Sequence, residues 1–179
     1  MMDLGRLYGD IEAQGALPPV DRWDPPFCGD IDMRITHDGT WLHDGAPIRR
    51  AAMVRLFARI LRREGDRYFL VTPVEKLGIT VEDAPFIAVE MTVAEGTLTF
   101  RTNVDDIVTA DTAHPLRFET GPDGFRPYIH VRGGLYARLS RALAQELAGL
   151  GEIRDKRDEP WFGVGSAGLF FPVIQADRL

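Results

Sequence analysis

The 179 residues suffice for one domain or two small ones, and a content of 45% hydrophobic and 27% charged residues is that of an ordinary folded chain. A formal charge of −6 excludes a nucleic-acid binder that works through bulk electrostatics, and a lone cysteine, Cys28, excludes both an intramolecular disulfide and a zinc site made of cysteine pairs. No apolar run approaches the roughly 20 residues that cross a bilayer, and the opening Met-Met-Asp-Leu-Gly-Arg lacks the apolar stretch of a secretory signal, so a cytoplasmic location is expected.

Leu4, Leu7, Tyr8 and Ile11 recur at helical spacing and predict a short amphipathic leader helix ending near Gly15. Pro18, Pro19, Pro25 and Pro26 then fix backbone angles and forbid regular helix, so residues 17–27 form an extended strap anchored by Trp23. Residues 1–26 are therefore expected to be a leader helix and proline-rich strap.

From Asp30 the period changes to two. Ile31, Met33 and Ile35 alternate with Asp32, Arg34 and Thr36, as in a strand with one buried face. Asp38-Gly39 and Asp44-Gly45 read as tight turns around a short strand at Trp41 and Leu42. Met53, Leu56, Phe57, Ile60 and Leu61 make one apolar stripe and predict a helix over 49–63. Its other faces carry Arg49, Arg50, Arg55, Arg59, Arg62 and Arg63, read as stems that cover the helix and pair with acids elsewhere. A strand follows at Tyr68–Val71, and Thr72-Pro73-Val74-Glu75 has the layout of a capping box, predicting a helix of about a turn and a half closed by Gly78. Residues 27–83 are expected to be a first α+β domain, with Glu82-Asp83-Ala84-Pro85 as its boundary.

The remainder, 84–179, is expected to be a second α+β domain. Strands are predicted over 86–94, 97–102 and 107–110, then at Leu116–Glu119 and Pro127–Val131 around Pro122-Asp123-Gly124. Gly133-Gly134 is expected to open a helix with the stripe Tyr136, Leu139, Leu143, Leu147 and Leu150, and a hairpin over 161–173 closes the chain. Both halves run strand, Asp-Gly, strand, glycine turn, amphipathic helix, strand. The expected fold class is α+β: two related units, each an antiparallel sheet packed by one long helix, facing one another across a groove suited to a ligand.

Cys28-Gly-Asp-Ile-Asp-Met-Arg-Ile, Asp38-Gly-Thr-Trp, Gly45-Ala-Pro-Ile-Arg, Leu70-Val-Thr-Pro-Val-Glu-Lys76, Asp83-Ala-Pro-Phe, Phe100-Arg-Thr-Asn103 and Pro127-Tyr-Ile-His-Val-Arg132 together resemble the bacterial domain-of-unknown-function family 1285. The likeness runs from about Pro18 to Leu150. It implies two α+β domains with duplicated motifs, the second loosely like a pleckstrin-homology barrel, and a signalling or ligand-binding role. It carries no reaction and no catalytic residue.

Gly163-Val-Gly165-Ser-Ala-Gly168 matches a dinucleotide fingerprint literally, yet it lacks the strand-to-helix context that lets a helix N-terminus hold the pyrophosphate. It reads as a hairpin turn. Cys28 is expected to be structural, buried beside Phe27 with Asp30 and Asp32 opposing a thiolate. Ser140 and Ser166 lack a nucleophile-elbow context, and neither Asp30-x-Asp32 nor His43-Asp44 has a metal-ligand spacing, so no metal or cofactor is expected. What remains is a set of polar and aromatic residues near the turns and helix starts: Trp41, His43, Arg49, Arg50, Glu75, Lys76, Asn103, Tyr128, His130 and Arg132. Free amides at helix starts and planar guanidinium groups suit carboxylate or phosphate, and the competing reading is that these groups pair to hold the domains. The expectation is a non-enzymatic module that recognises a small anionic ligand or a partner's segment. The alternative is a hydrolase or transferase whose histidine and carboxylates meet only in the fold.

Overall fold

A computed structural model describes residues 16–179, and the predicted leader helix at Leu4–Ile11 lies outside the described residues. The chain divides into two compact units after Pro85. Among the described residues each is mostly sheet, with one α-helix and a single 3-10 turn, Val20–Arg22 in the strap of the first and Ala176–Arg178 at the end of the second.

In the first unit, β1 (Phe27–Ile35) alternates as its sequence dictates, with Met33 and Ile35 buried and Asp32 and Arg34 exposed. The Asp38-Gly39 turn leads to β2 (Trp41–His43), and Asp44 and Gly45, at φ 50° and 78°, make the tight turn into β3 (Ala46–Pro47). Helix α1 is shorter than predicted, Ala51–Arg59, and buries Leu56, Phe57 and Ala58. The rest of the predicted helix is strand β4 (Leu61–Glu64), paired antiparallel with β5 (Arg67–Val71) around the Gly65-Asp66 turn. Leu61 is buried in that strand, so one apolar side chain serves a helical stripe and a strand's inner face equally well. The long-range ladder decides between them.

The capping box is realised without its helix. The Thr72 hydroxyl accepts from the amides of Glu75 (3.0 Å) and Val74 (3.3 Å), and the Thr72 amide donates to the Glu75 carbonyl (2.9 Å). The chain then passes straight into β6 (Lys76–Val81), where Gly78 is an interior residue and not a helix stop. The sheet order is β3-β2-β1-β6-β5-β4. The β1–β6 pair is parallel and every other pair antiparallel, which corrects the expected antiparallel sheet: α1 and the β4–β5 hairpin act as the long crossover that a parallel pair requires. The strap is tied to this sheet by Arg62, whose Nη1 donates to the carbonyls of Val20 (2.9 Å) and Trp23 (2.7 Å).

The second unit holds a six-stranded sheet in the order β10-β11-β12-β7-β8-β9: β7 (Phe86–Ala94), β8 (Thr97–Thr102), β9 (Ile107–Thr109), β10 (Leu116–Gly121), β11 (Gly124–Arg132) and β12 (Leu135–Leu139). Gly133-Gly134 turns the chain into β12 and does not open a helix, so Tyr136 and Leu139 lie on a strand. Helix α2 (Arg141–Gly149) starts later, where the Ser140 hydroxyl accepts from the Leu143 amide (3.3 Å). Here too one pair, β12 with β7, is parallel.

A third sheet, β13 (Glu152–Lys156), β14 (Glu159–Ser166) and β15 (Leu169–Gln175), is an antiparallel meander. The Gly163–Gly168 stretch is the hairpin it was read to be, with Ala167 and Gly168 at φ 51° and 76°. Ser166 fastens it to the larger sheet: its buried hydroxyl donates to the Ala110 carbonyl (2.7 Å) and accepts from the Leu98 amide (2.9 Å).

Candidate functional site

A cleft of about 290 Å³ opens on the first unit between β1, β5 and β6, lined by Asp30, Arg67, Gly78 and Thr80 with their neighbours Ile31, Asp66, Tyr68, Ile79 and Val81. It follows from an irregular register. Asp30 is level with Gly78 and Arg34 with Thr80, four steps along β1 against two along β6, so the two strands separate locally. Over that gap the Arg67 Nη2 donates to Asp30 Oδ1 at 2.5 Å. Gly78 makes the crossing possible, because a Cβ there would stand 1.9 Å from Asp30 Oδ1 and 2.9 Å from the Arg67 Nη2. Arg67 is further aimed by two rings, its guanidinium 5.0 Å from the Phe69 centroid and 5.5 Å from that of Phe27. With side chains 67% and 55% exposed, Asp30 and Arg67 form an ion pair worth about 0–1 kcal/mol, one that a ligand can open at little cost. Asp66, in the turn before β5, is the second acidic residue along the cleft.

None of the ten residues singled out from the sequence lines this cleft. Trp41 is buried on β2 and stacked on Phe57, and its indole Nε1 has no hydrogen-bond partner. His43 stands 3.7 Å from Asp44 Oδ2, beyond hydrogen-bond reach. Arg49 and Arg50 are exposed ahead of α1, Arg50 at its N-cap position. Glu75 closes the Thr72 turn through its backbone. Lys76 Nζ pairs with Glu64 (3.1 Å) over the Phe69 ring.

In the second unit Asn103 is bound to Ile87 twice, its amide donating to the Ile87 carbonyl (2.8 Å) and its Oδ1 accepting from the Ile87 amide (3.0 Å). Tyr128 and His130 share one face of β11, and a register shift after His130 sets Arg132 level with Leu135, off that face. Tyr128 is buried beneath Arg117 (4.6 Å), and Arg132 pairs with Asp106 (2.7 Å). The Gly134 amide can only donate, so His130 Nε2 accepts from it (3.2 Å) and His130 Nδ1 carries the proton given to the Ala113 carbonyl (3.1 Å). Burial, and after it the neighbouring His114, press the His130 pKa below its ordinary value, while the bond to Ala113 opposes them.

Neither His43 nor His130 is hydrogen-bonded to a carboxylate, and among the described residues no group of three or more histidine, cysteine or acidic side chains is arranged to hold a metal ion. Cys28 corrects the expectation of burial. It is exposed, beside a half-exposed Phe27, because β1 begins beyond the core, and its thiol donates to the Pro26 carbonyl (3.3 Å). Of the cleft residues, Asp30 stands out in the sequence only as half of Asp30-x-Asp32, and Arg67 belongs to no local motif. The missing signal was spatial: 37 positions separate the two, and only the β1–β6–β5 order joins them.

A family described as a domain of unknown function (DUF1285) matches the chain in two parts, its N-terminal domain over residues 18–84 and its C-terminal domain over 85–173. A crystal structure of a DUF1285 family protein from Silicibacter pomeroyi DSS-3 is similar with a TM-score of 0.90 at 47% identity, over 99% of this chain and 98% of that one. One from Shewanella baltica OS155 is similar with a TM-score of 0.54 at 30% identity, over 65% of this chain and 90% of that one. No curated protein matches the chain.

Proposed function

Since the chain belongs to the DUF1285 family, whose description names no activity, we propose from its own cleft that it is a cytoplasmic, non-enzymatic signalling module that binds a small zwitterion. The observation that carries this reading is the Asp30–Arg67 pair held open over Gly78 in a cleft of about 290 Å³. The volume is at the small end for ligand sites, which run upward from about 300 Å³.

Charge balance selects the ligand. Asp30 is ion-paired with Arg67 and Asp66 lines the same cleft, so a plain anion would have to displace Asp30 where the acids already outnumber the one cation. A zwitterion replaces both halves of the existing pair at once, its carboxylate on the Arg67 fork and its ammonium on Asp30 and Asp66. This narrows the small anionic ligand expected from the sequence to one that carries a cationic nitrogen as well. The same strand order in both six-stranded sheets, with the first and sixth strands of each unit paired in parallel, favours descent from one duplicated plan.

Isothermal titration with γ-aminobutyrate, butyrate and butylamine tests the reading. The zwitterion should bind, each singly charged analogue at least about tenfold more weakly, and Arg67→Met should abolish binding. Butyrate binding as tightly as γ-aminobutyrate, or equal binding by Arg67→Met, would overturn it.

A further inference from the structure

The third sheet ends in an edge built to pair with itself. Every residue of β13 is exposed, Ile153 at 58%, and among the described residues β13 has a strand partner on one side only, β14. Its other edge presents unpaired peptide groups, a template for a further strand. We propose that β13 pairs antiparallel with β13 of a second copy of this chain, about a two-fold axis through Ile153.

Charge selects both the partner and the register. In an antiparallel pair of identical strands, opposed side chains share a face only when the axis passes through a residue. An axis through Glu152, Arg154, Asp155 or Lys156 sets like charges against each other. The axis through Ile153 sets Ile153 against Ile153 and Glu152 against Arg154 in both directions. Arg154 already lies flat on this sheet, its guanidinium 5.2 Å from the Phe170 centroid and ion-paired with Glu152 of its own strand, so it meets the partner's Glu152 already extended. The Ile153-centred register leaves no like charges opposed.

An edge this short buries less than the roughly 1,200 Å² of a stable interface, so the dimer is weak and concentration-dependent. Sedimentation velocity on the full chain across a concentration series reads it directly. The wild type should shift from monomer to dimer, and about 1 M salt should weaken the dimer. Ile153→Lys should remain monomeric. Glu152→Arg and Arg154→Glu, each placing like charges across the axis, should weaken association at least about tenfold, and combining the two should restore it. All three positions are solvent-facing, so circular dichroism should stay at the wild-type spectrum. A wild type monomeric throughout, a dimer untouched by Ile153→Lys, or a double swap no better than the single ones would overturn the proposal.

Discussion

At the scale of single residues, His130 shows how a backbone can fix a side chain's charge state. Its two nitrogens hold one donor and one acceptor, an arrangement that only the neutral imidazole satisfies, because a protonated ring would point an N–H at the Gly134 amide. Burial and the approach of His114, whose ring centroid is 5.8 Å away, act in the same direction and lower the pKa from that of an ordinary histidine, against the opposing bond to Ala113. A depressed folded pKa means that this contribution to stability is complete above the unfolded value and is lost as pH falls from there through the folded one. Urea unfolding between pH 7.5 and 5 should therefore show stability falling in the wild type and falling less steeply in His130→Asn. Parallel slopes for the two would contradict this account. In the sequence His130 was legible as a polar residue on a strand, whereas its partner amide, in a turn four residues away, was not.

At the scale of elements, periodicity identified most strands and mistook two boundaries for related reasons. Leu61 continues the helical stripe of Met53, Leu56 and Phe57, but its neighbours Arg62 and Arg63 suit a ladder with Phe69 and Tyr68 just as well, and pairing wins. Tyr136 and Leu139 fit the stripe of Leu143 and Leu147, yet Ser140 caps the helix behind them. Apolar residues three and four apart do not distinguish a helix from a strand that leads into one. The third sheet illustrates a different gap. Its hairpin was readable from glycines, but the residue that fastens it, Ser166, was weighed only as a nucleophile. Ser166→Ala strands a buried amide and a buried carbonyl, and should cost about 1–3 kcal/mol in urea unfolding. Ser166→Thr, which keeps the hydroxyl, should recover part of that loss. An alanine variant as stable as the wild type would show that the clamp contributes nothing.

At the scale of the molecule, two α+β units were largely visible in the order of turns and apolar periods. The single parallel pair in each larger sheet was not, because a crossover leaves no local mark in the strands it joins. The cleft depends on that same feature. It lies where β1 runs beside β6 out of step, so a reading confined to local motifs drew attention to turns and helix starts instead. The most direct measurement of the central claim is the amide NMR spectrum of the full chain titrated with γ-aminobutyrate. Saturable shifts concentrated at Asp30, Arg67, Gly78 and Thr80, and absent in Gly78→Ala, where the new methyl group displaces Asp30 from Arg67, are the predicted result. Shifts that leave these four amides still while moving others, or that persist unchanged in Gly78→Ala, would contradict it.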